Sequence, residues 1–358
     1  MKKQFTAVSI YSGGGGIDLG FHKAGFNIIL STDNWAPACD TLKKNFPKTK
    51  VECEDIRKIN FKKIIKELGV KEIDCLMGGP PCPAYSKSRF YRKEKKRALE
   101  DENSFTLYEY FRVLEELRPK TFLFENVHGF TYKPHIAALN YLKKMSDKLG
   151  YNIYYKVVNA ALYGIPQTRE RFLCVGVRKD LPDFVYPTET HYNPEKHNKK
   201  SDKDKKKWLT CGQVISDLDF DLDDDKNLQA GSKHKELLKQ IPPGDNYLFF
   251  TRERGFPNPK FKWRSRYWSF LLKLSPNRPS WTIQASQSNN MGPFHWKNRF
   301  LRINEIKRIQ TFDDDYIITG NYKTQWRQIG NAVPPNLARL FAEEIKNQIL
   351  TKKKKTNL

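Results

Sequence analysis

The sequence predicts an α/β protein: a doubly wound, largely parallel sheet with helices on both faces, followed by a smaller, irregular lobe. Three observations carry this. Short apolar runs of strand length alternate with helix-length periodic segments through the first half of the chain. The first run, residues 5–11, enters Ser12-Gly13-Gly14-Gly15-Gly16 and then a helical stretch, which is the Rossmann-like opening of nucleotide-binding sheets. From about Leu181 the composition turns polar and lysine-rich. A chain of 358 residues is long enough for two lobes and a sizeable core.

The first helix starts at Ile17 and ends at Gly25. Glycines before it let a ligand approach the backbone, although a plain tight turn fits them equally well. The second strand, residues 27–31, ends in Thr32-Asp33-Asn34. Asp33 lies where an acidic residue accepts from ribose hydroxyls. It also suits the N-cap of a helix over residues 36–45, and the two roles are compatible. The loop lacks the G-x-G-x-x-G spacing, so a nucleoside is favoured over a pyrophosphate cofactor such as NAD. A third short strand closes at Glu54-Asp55-Ile56, with Asp55 available to an adenine amine.

Residues 73–78 form an apolar run that stops at Gly79-Pro80-Pro81-Cys82. Two prolines fix φ and remove two donors, so Cys82 stands on a stiff support at a strand end. In open α/β sheets that edge binds ligands, and a thiolate there can be a nucleophile. Taken alone, Pro-Pro-Cys is as compatible with a simple turn. Ser86 and the basic stretch 87–97, with Arg89, follow and suit a phosphate backbone or a solvated loop. A helix over residues 105–116 leads to a strand at 121–124 that ends in Glu125-Asn126-Val127. A carboxyl at that edge can act as an acid, or simply pair with a cation. Strands at 151–159 and 171–177 flank Gln167-Thr168-Arg169-Glu170-Arg171. On one strand Gln167, Arg169 and Arg171 would share a face, which suits a negative or carbonyl-rich substrate.

The formal net charge of +24, with a pI near 9.6, points to a polyanionic partner, and nucleic acid is the usual one. Residues 192–207 read as a linker or exposed loop, and the acidic stretch 217–225 should avoid DNA. Arg252, Arg254, Lys260, Lys262, Arg264 and Arg266 alternate with Phe256, Phe261, Trp263 and Tyr267, a mixture suited to phosphates and bases. Helical periodicity returns at 303–310 and 336–349. The six cysteines show no C-x-x-C spacing and no accompanying His cluster, so no metal is expected. They read as reduced thiols of a cytoplasmic protein, and no run has signal-peptide or transmembrane character.

Together these stretches resemble the cytosine-C5 DNA methyltransferases of the bacterial modification type. The resemblance rests on Ser12–Gly16 with Gly20 and Ala24-Gly25-Phe26, then Asp33, Asp55-Ile56, Gly79-Pro80-Pro81-Cys82 and Glu125-Asn126-Val127. It continues through Gln167-x-Arg169-x-Arg171, Arg278-Pro279 with Thr282, and Gln328-Ile329-Gly330-Asn331-Ala332-Val333-Pro334-Pro335, all in the family's order. Pro83 and Tyr85-Ser86 depart from the family's usual Gln and Phe-Ser, and Tyr11-Ser12-Gly13-Gly14 from its usual first loop.

The resemblance implies that Cys82 adds to cytosine C6, Glu125 serves N3, Arg171 holds O2 and Arg169 supports the pocket. It implies S-adenosylmethionine as cofactor over Ser12, Gly13, Gly14, Gly15, Gly16 and Ile17. Asp33 would take the ribose, Asp55 the adenine, and Asn34, Ile56, Gly79, Pro81, Asn331 and Ala332 would border it. Duplex DNA would meet Ser86, Arg89, Gln167, Arg252, Arg254, Arg264 and Arg266, with the target base flipped out. The implied lobes are 1–180 for catalysis and cofactor, 181–322 for target recognition, and 323–358 returning to the first. A monomer on DNA in the bacterial cytoplasm is expected, associated with the nucleoid through that DNA, with a companion restriction endonuclease acting on the same site as a further expected partner. A tRNA-modifying relative, a non-catalytic DNA-binding module and a nucleotide-dependent oxidoreductase are the alternatives.

Overall fold

The computed structural model describes residues 4–81, 105–196, 201–220 and 228–352. The first part alternates strand and helix: β1 (Thr6–Ile10), α1 (Gly16–Lys23), β2 (Asn27–Asp33), α2 (Ala36–Asn45), β3 (Lys50–Cys53), α3 (Phe61–Glu67) and β4 (Cys75–Gly78). Then come α4 (Phe105–Leu117), β5 (Thr121–Val127), α5 (Ile136–Lys148), β6 (Tyr151–Asn159), β7 (Gln167–Thr168) and β8 (Glu170–Arg178). Short elements follow: β9 (His191–Tyr192), β10 (Lys206–Lys207), α6 (Cys211–Ile215), α7 (Lys235–Gln240) and β11 (Ser280–Trp281). The chain finishes with α8 (Ile303–Gln310), α9 (Tyr322–Asn331) and α10 (Pro335–Ile345).

The main sheet has seven strands in the order β3-β2-β1-β4-β5-β8-β6. Every neighbouring pair from β3 to β5 is parallel, while β8 runs antiparallel to both β5 and β6. The order reverses between β1 and β4, which makes the edge beyond Ile10 and Gly78 the switch point of the sheet. The strands are apolar runs because both faces are covered: Val8, Ile10, Leu30, Leu76, Phe122 and Phe124 are all fully buried in one core.

The chain forms two compact units, and they do not divide at single points in the sequence. Unit 1 comprises Met1–Asn159, Glu170–Thr188 and Ala332–Leu358; unit 2 comprises Ala160–Arg169 and Glu189–Asn331. Residues 160–169 thus group with the second unit, and the C-terminal return to the first begins at Ala332. Unit 2 has few long elements. Its core is aromatic, with Tyr247, Phe250, Phe270 and Phe294 buried and Phe256 and Phe261 packed against them. Phe256 and Phe261, expected beside the cations as base contacts, are therefore part of this core. Arg252, Arg254, Lys260, Lys262, Arg264 and Arg266 are all exposed, together with Trp263 and Tyr267.

Within unit 1 the last long helix closes the fold. α1 ends in a Schellman turn, with the Phe26 amide donating to the Phe21 carbonyl (3.0 Å) and the Gly25 amide to that of His22 (2.9 Å). Gly25 takes the required left-handed φ of 89°. α10 lies against α1 at Gly20, where a Cβ would come within 2.5 Å of the Pro335 carbonyl oxygen and 2.6 Å of the Ala338 Cβ. Gly20→Ala should therefore force the two helices apart and lower the stability of unit 1 by about 1–3 kcal/mol, read from the midpoint of urea unfolding. An unchanged midpoint would show that the contact is not tight.

Candidate active site

The loops that follow β1, β2, β3, β4 and β5 leave the sheet on one edge, because these strands are parallel. Their strand order lays out the expected site residues in a row. Asp55 follows β3, Asp33 ends β2, Ser12–Gly16 follow β1, Gly79–Pro81 follow β4, and Glu125 lies near the end of β5.

Asp33 ties two of these loops together. One carboxylate oxygen accepts from the Gly13 amide (2.8 Å) and the other from the Trp35 amide (2.9 Å) at the start of α2. Asp33 itself is half-buried, and Asn34 is exposed. The glycine loop is left-handed at Gly13 (φ 53°) and at Gly15 (φ 78°), which caps α1. Gly16 is held against Ala332 and the Val333 carbonyl, where any Cβ would collide. Ile17 and Ile56 are buried. Asp55 accepts from the backbone amide (3.0 Å) and the Nε (3.0 Å) of Arg57, which pulls its carboxyl down to about 2. Asn331, at the end of α9, is exposed.

The other half of the row is built by β4, β5 and β8. Val127 of β5 stands opposite Arg171 of β8, so Glu125, two residues earlier on the same face, is a diagonal neighbour of Arg171. Arg171 Nε lies 2.8 Å from Glu125 Oε1, with both side chains only slightly exposed. The other carboxylate oxygen presses on the β4 loop: a Cβ on Gly79 would lie 2.6 Å from Glu125 Oε2. Asn126 donates to the Pro80 carbonyl (3.4 Å). Pro81 is the last described residue of this loop and is exposed; Cys82, Ser86 and Arg89 lie outside the described residues.

Gln167, Arg169 and Arg171 do not share one strand face. β7 ends at Thr168 and β8 begins at Glu170; the Arg169 carbonyl still accepts from the Ala160 amide (3.0 Å), in register with the β6–β8 pairing, while Gln167 pairs with Ser280 of β11. Gln167 and Arg169 are fully buried in unit 2. Arg169 donates to the carbonyls of Ile283 (2.9 Å) and Gly330 (2.8 Å) and to the Gln167 side chain (3.3 Å). The Gln167 carboxamide is committed to the Ile283 amide and the Gln310 side chain, which leaves it no face toward DNA in this conformation.

One group escaped the sequence reading. Asp18, in the first turn of α1, is fully buried beneath the glycine loop and accepts from Ser9 (2.9 Å) and Ser31 (2.6 Å). Burial pushes its carboxyl up to about 6 against those hydrogen bonds. Its signal in the sequence was small: serines within two apolar strand runs, facing an acid in an apolar helix.

The family model of C-5 cytosine-specific DNA methylases matches residues 5–347. The chain belongs to this family. The methylase is 37% identical to the Type II methyltransferase M.SacI of Streptomyces achromogenes, over 98% of this chain and 94% of that one. It is 33% identical to M.NgoPII of Neisseria gonorrhoeae, another Type II methyltransferase, over 96% and 95%. Its fold matches the solved Entamoeba histolytica methyltransferase EhMeth, with a TM-score of 0.64 and 18% identity over 96% of this chain and 98% of that one. The S. pombe Dnmt2 methyltransferase structure gives 0.62 and 15% over the same shares. The methylase is an enzyme that transfers a methyl group from a donor to cytosine C5 in DNA. Among its described residues no helix is long and apolar enough to cross a membrane.

Gly79 is the sensitive point of the geometry. Gly79→Ala should displace Glu125; with Glu125 as the acid–base group expected from the sequence, methyl transfer should fall by at least about tenfold, since removing such a group costs on the order of 100-fold or more. Circular dichroism and thermal unfolding should show the fold retained. Full activity in a folded Gly79→Ala protein would separate Glu125 from the chemistry.

Proposed function

We propose that the protein is the modification enzyme of a restriction–modification system, methylating one cytosine in a specific duplex site with S-adenosylmethionine as donor. The names of its Type II relatives support the biological role. The observation that carries the chemistry is Glu125 paired with Arg171 and seated against the loop that leads to Cys82.

In this reading the Cys82 thiolate adds to C6 of a flipped-out cytosine, forming the S–C6 bond. Glu125 gives N3 its proton, and Arg171 holds O2, so the ring electrons collect at C5. Once C5 carries the methyl, loss of the C5 proton to a base, departure of the thiolate and return of the N3 proton to Glu125 restore the aromatic ring. The other cysteines are poorly suited: burial raises the thiols of Cys39, Cys174 and Cys211, and pushes Cys75 up to about 12. Cys53 is exposed but ends β3, three strands from β4 in the sheet. Arg169 acts indirectly, by fixing the backbone at Ile283 and Gly330.

The donor set fits the cofactor. Asp33 and Asp55 suit hydroxyl and amine donors of a nucleoside. Asp33 would hold the ribose and Asp55 the adenine, with Asn34, Ile56, Gly79, Pro81, Asn331 and Ala332 beside them. Bound S-adenosylmethionine supplies an electrophilic methyl to C5. The exposed Arg252, Arg254, Arg264 and Arg266 of unit 2 are the DNA contacts among the described residues, with Ser86 and Arg89 assigned from sequence. The enzyme would work as a monomer on DNA in the bacterial cytoplasm, beside an endonuclease of the same specificity.

Mapping 5-methylcytosine in the DNA of an expressing host will give the target site. A duplex with 5-fluorocytosine at that position should then trap the enzyme through Cys82, and only with S-adenosylmethionine present. Fluorine cannot leave C5 as a cation, so elimination stops and the thioether persists. Cys82→Ser should abolish the band on a denaturing gel, and Cys75→Ser should not. An adduct mapped to another cysteine would overturn the assignment.

A second expectation concerns DNA binding. It should weaken steeply with salt through release of counterions, and replacing Arg264 and Arg266 by Gln should lower the salt slope by about two. An unchanged slope would remove these arginines from the DNA contact.

A further inference from the structure

The order of the strands sets the order of the ligand. Adenine is assigned to β3 and ribose to β2, while the reacting cytosine belongs beside β4 and β5. The methionine end of the donor, with its sulfonium and ammonium charges, must therefore lie over the end of β1. Ser12 stands there, half-buried, immediately before Gly13. Its hydroxyl donates to Ser9 Oγ (2.8 Å), Ser9 donates to Asp18 Oδ2 (2.9 Å), and Ser31 donates to Asp18 Oδ1 (2.6 Å).

A hydroxyl has one proton to give. An ionised Asp18 only accepts, so it fixes the proton of Ser9, and Ser9 in turn fixes that of Ser12. What Ser12 has left for any further partner is a lone pair. We propose that Asp18 is a positioning residue whose buried charge, relayed through Ser9, holds Ser12 as an acceptor toward the cationic methionine end of S-adenosylmethionine. This rests on the cofactor reading above.

The relay depends on ionisation. Asp18 titrates near 6 because it is wholly buried, with Asp33 on β2 adding repulsion. His22 and Lys23 lie in the last turn of its own helix, and α10, packed on α1, brings Arg339, which pairs with Glu343 (3.5 Å). Once protonated, Asp18 can donate to Ser9, the chain of hydroxyls can reverse, and Ser12 is free to present its proton to a cation. The sign for stability runs the other way. An acid raised on folding stabilises the fold at low pH and loses that contribution as pH rises through about 6. A buried group that weakens the fold at neutral pH fits a functional role better than a structural one.

The test is calorimetric titration of the full-length protein with S-adenosylmethionine and with S-adenosylhomocysteine, at about pH 8 and about pH 5.5, on either side of the Asp18 transition. The wild type should bind S-adenosylmethionine more weakly at the lower pH. Asp18→Asn, nearly isosteric and neutral, should bind it about tenfold more weakly at the higher pH, the worth of one charge-assisted hydrogen bond. It should also lose the pH dependence, and its melting temperature at the higher pH should be no lower than that of the wild type. Ser12→Ala, which leaves the buried carboxylate in place, should show the same weakening and the same flat pH response. If both variants discriminate less between the two ligands, the acceptor faces the sulfonium; if both ligands weaken equally, it faces the ammonium. Unchanged affinity and pH response in folded Asp18→Asn and Ser12→Ala would overturn the relay alone. A wild type that binds neither ligand would remove the cofactor reading and the relay with it.

Discussion

β1 and β4 pair in parallel from Ala7–Cys75 to Ile10–Gly78, and they close so tightly that a Cβ on Gly78 would lie 2.5 Å from the Ile10 carbonyl oxygen. That pairing is the point where the sheet changes direction, and the rest of unit 1 depends on it. The glycine loop leaves β1 itself, and the strands added beyond it bring Asp33 and Asp55 to the same side. Strands added beyond β4 bring Glu125 and, through the one reversed strand, Arg171 to the other. Glycine is needed wherever backbone must approach backbone or a carboxylate. Gly78, Gly79, Gly16 and Gly20 each meet this requirement through a different neighbour.

The reversed strand has its own consequence. An antiparallel neighbour for β5 places Arg171 opposite Val127 and within reach of Glu125. A parallel strand would enter that edge from the other end of the sheet. The arginine therefore reaches the carboxylate by topology, and its partner on the next strand is set by register rather than by proximity in sequence.

Unit 2 is held by different means. Its regular elements are short, so polar side chains close backbone groups that a sheet would otherwise satisfy. Arg169 caps two carbonyls from the inside, and Gln167 links Ile283 with Gln310. Arg299 and Glu305 form a buried two-point pair at 2.9 and 2.7 Å, with Glu305 also accepting from the Arg302 amide (2.7 Å) at the start of α8. Buried pairs of this kind are expensive to desolvate, and breaking one partner away costs more than the pair contributes.

The sequence by itself determined the alternating α/β order, the glycine loop, the helices over 105–116 and 303–310, and the family's motifs in their order. These are local matters: an apolar run, a glycine before a helix and a carboxylate at a strand end are visible without knowing their neighbours. It misassigned the surroundings of residues whose partners are remote. Phe256 and Phe261 alternate with arginines in sequence, yet they pack into an aromatic core, because burial is decided by elements the period does not reveal. Gln167, Arg169 and Arg171 alternate as a strand would, yet the strand breaks at Arg169, Gln167 pairs instead with Ser280 of β11, and the first two fall in unit 2. Tertiary structure alone decided that Gly79 must yield to Glu125, that Arg171 pairs with it, and that Asp18 is buried under Ser9 and Ser12. Each is a contact between chain segments whose distance and desolvation exist only once the strands have paired.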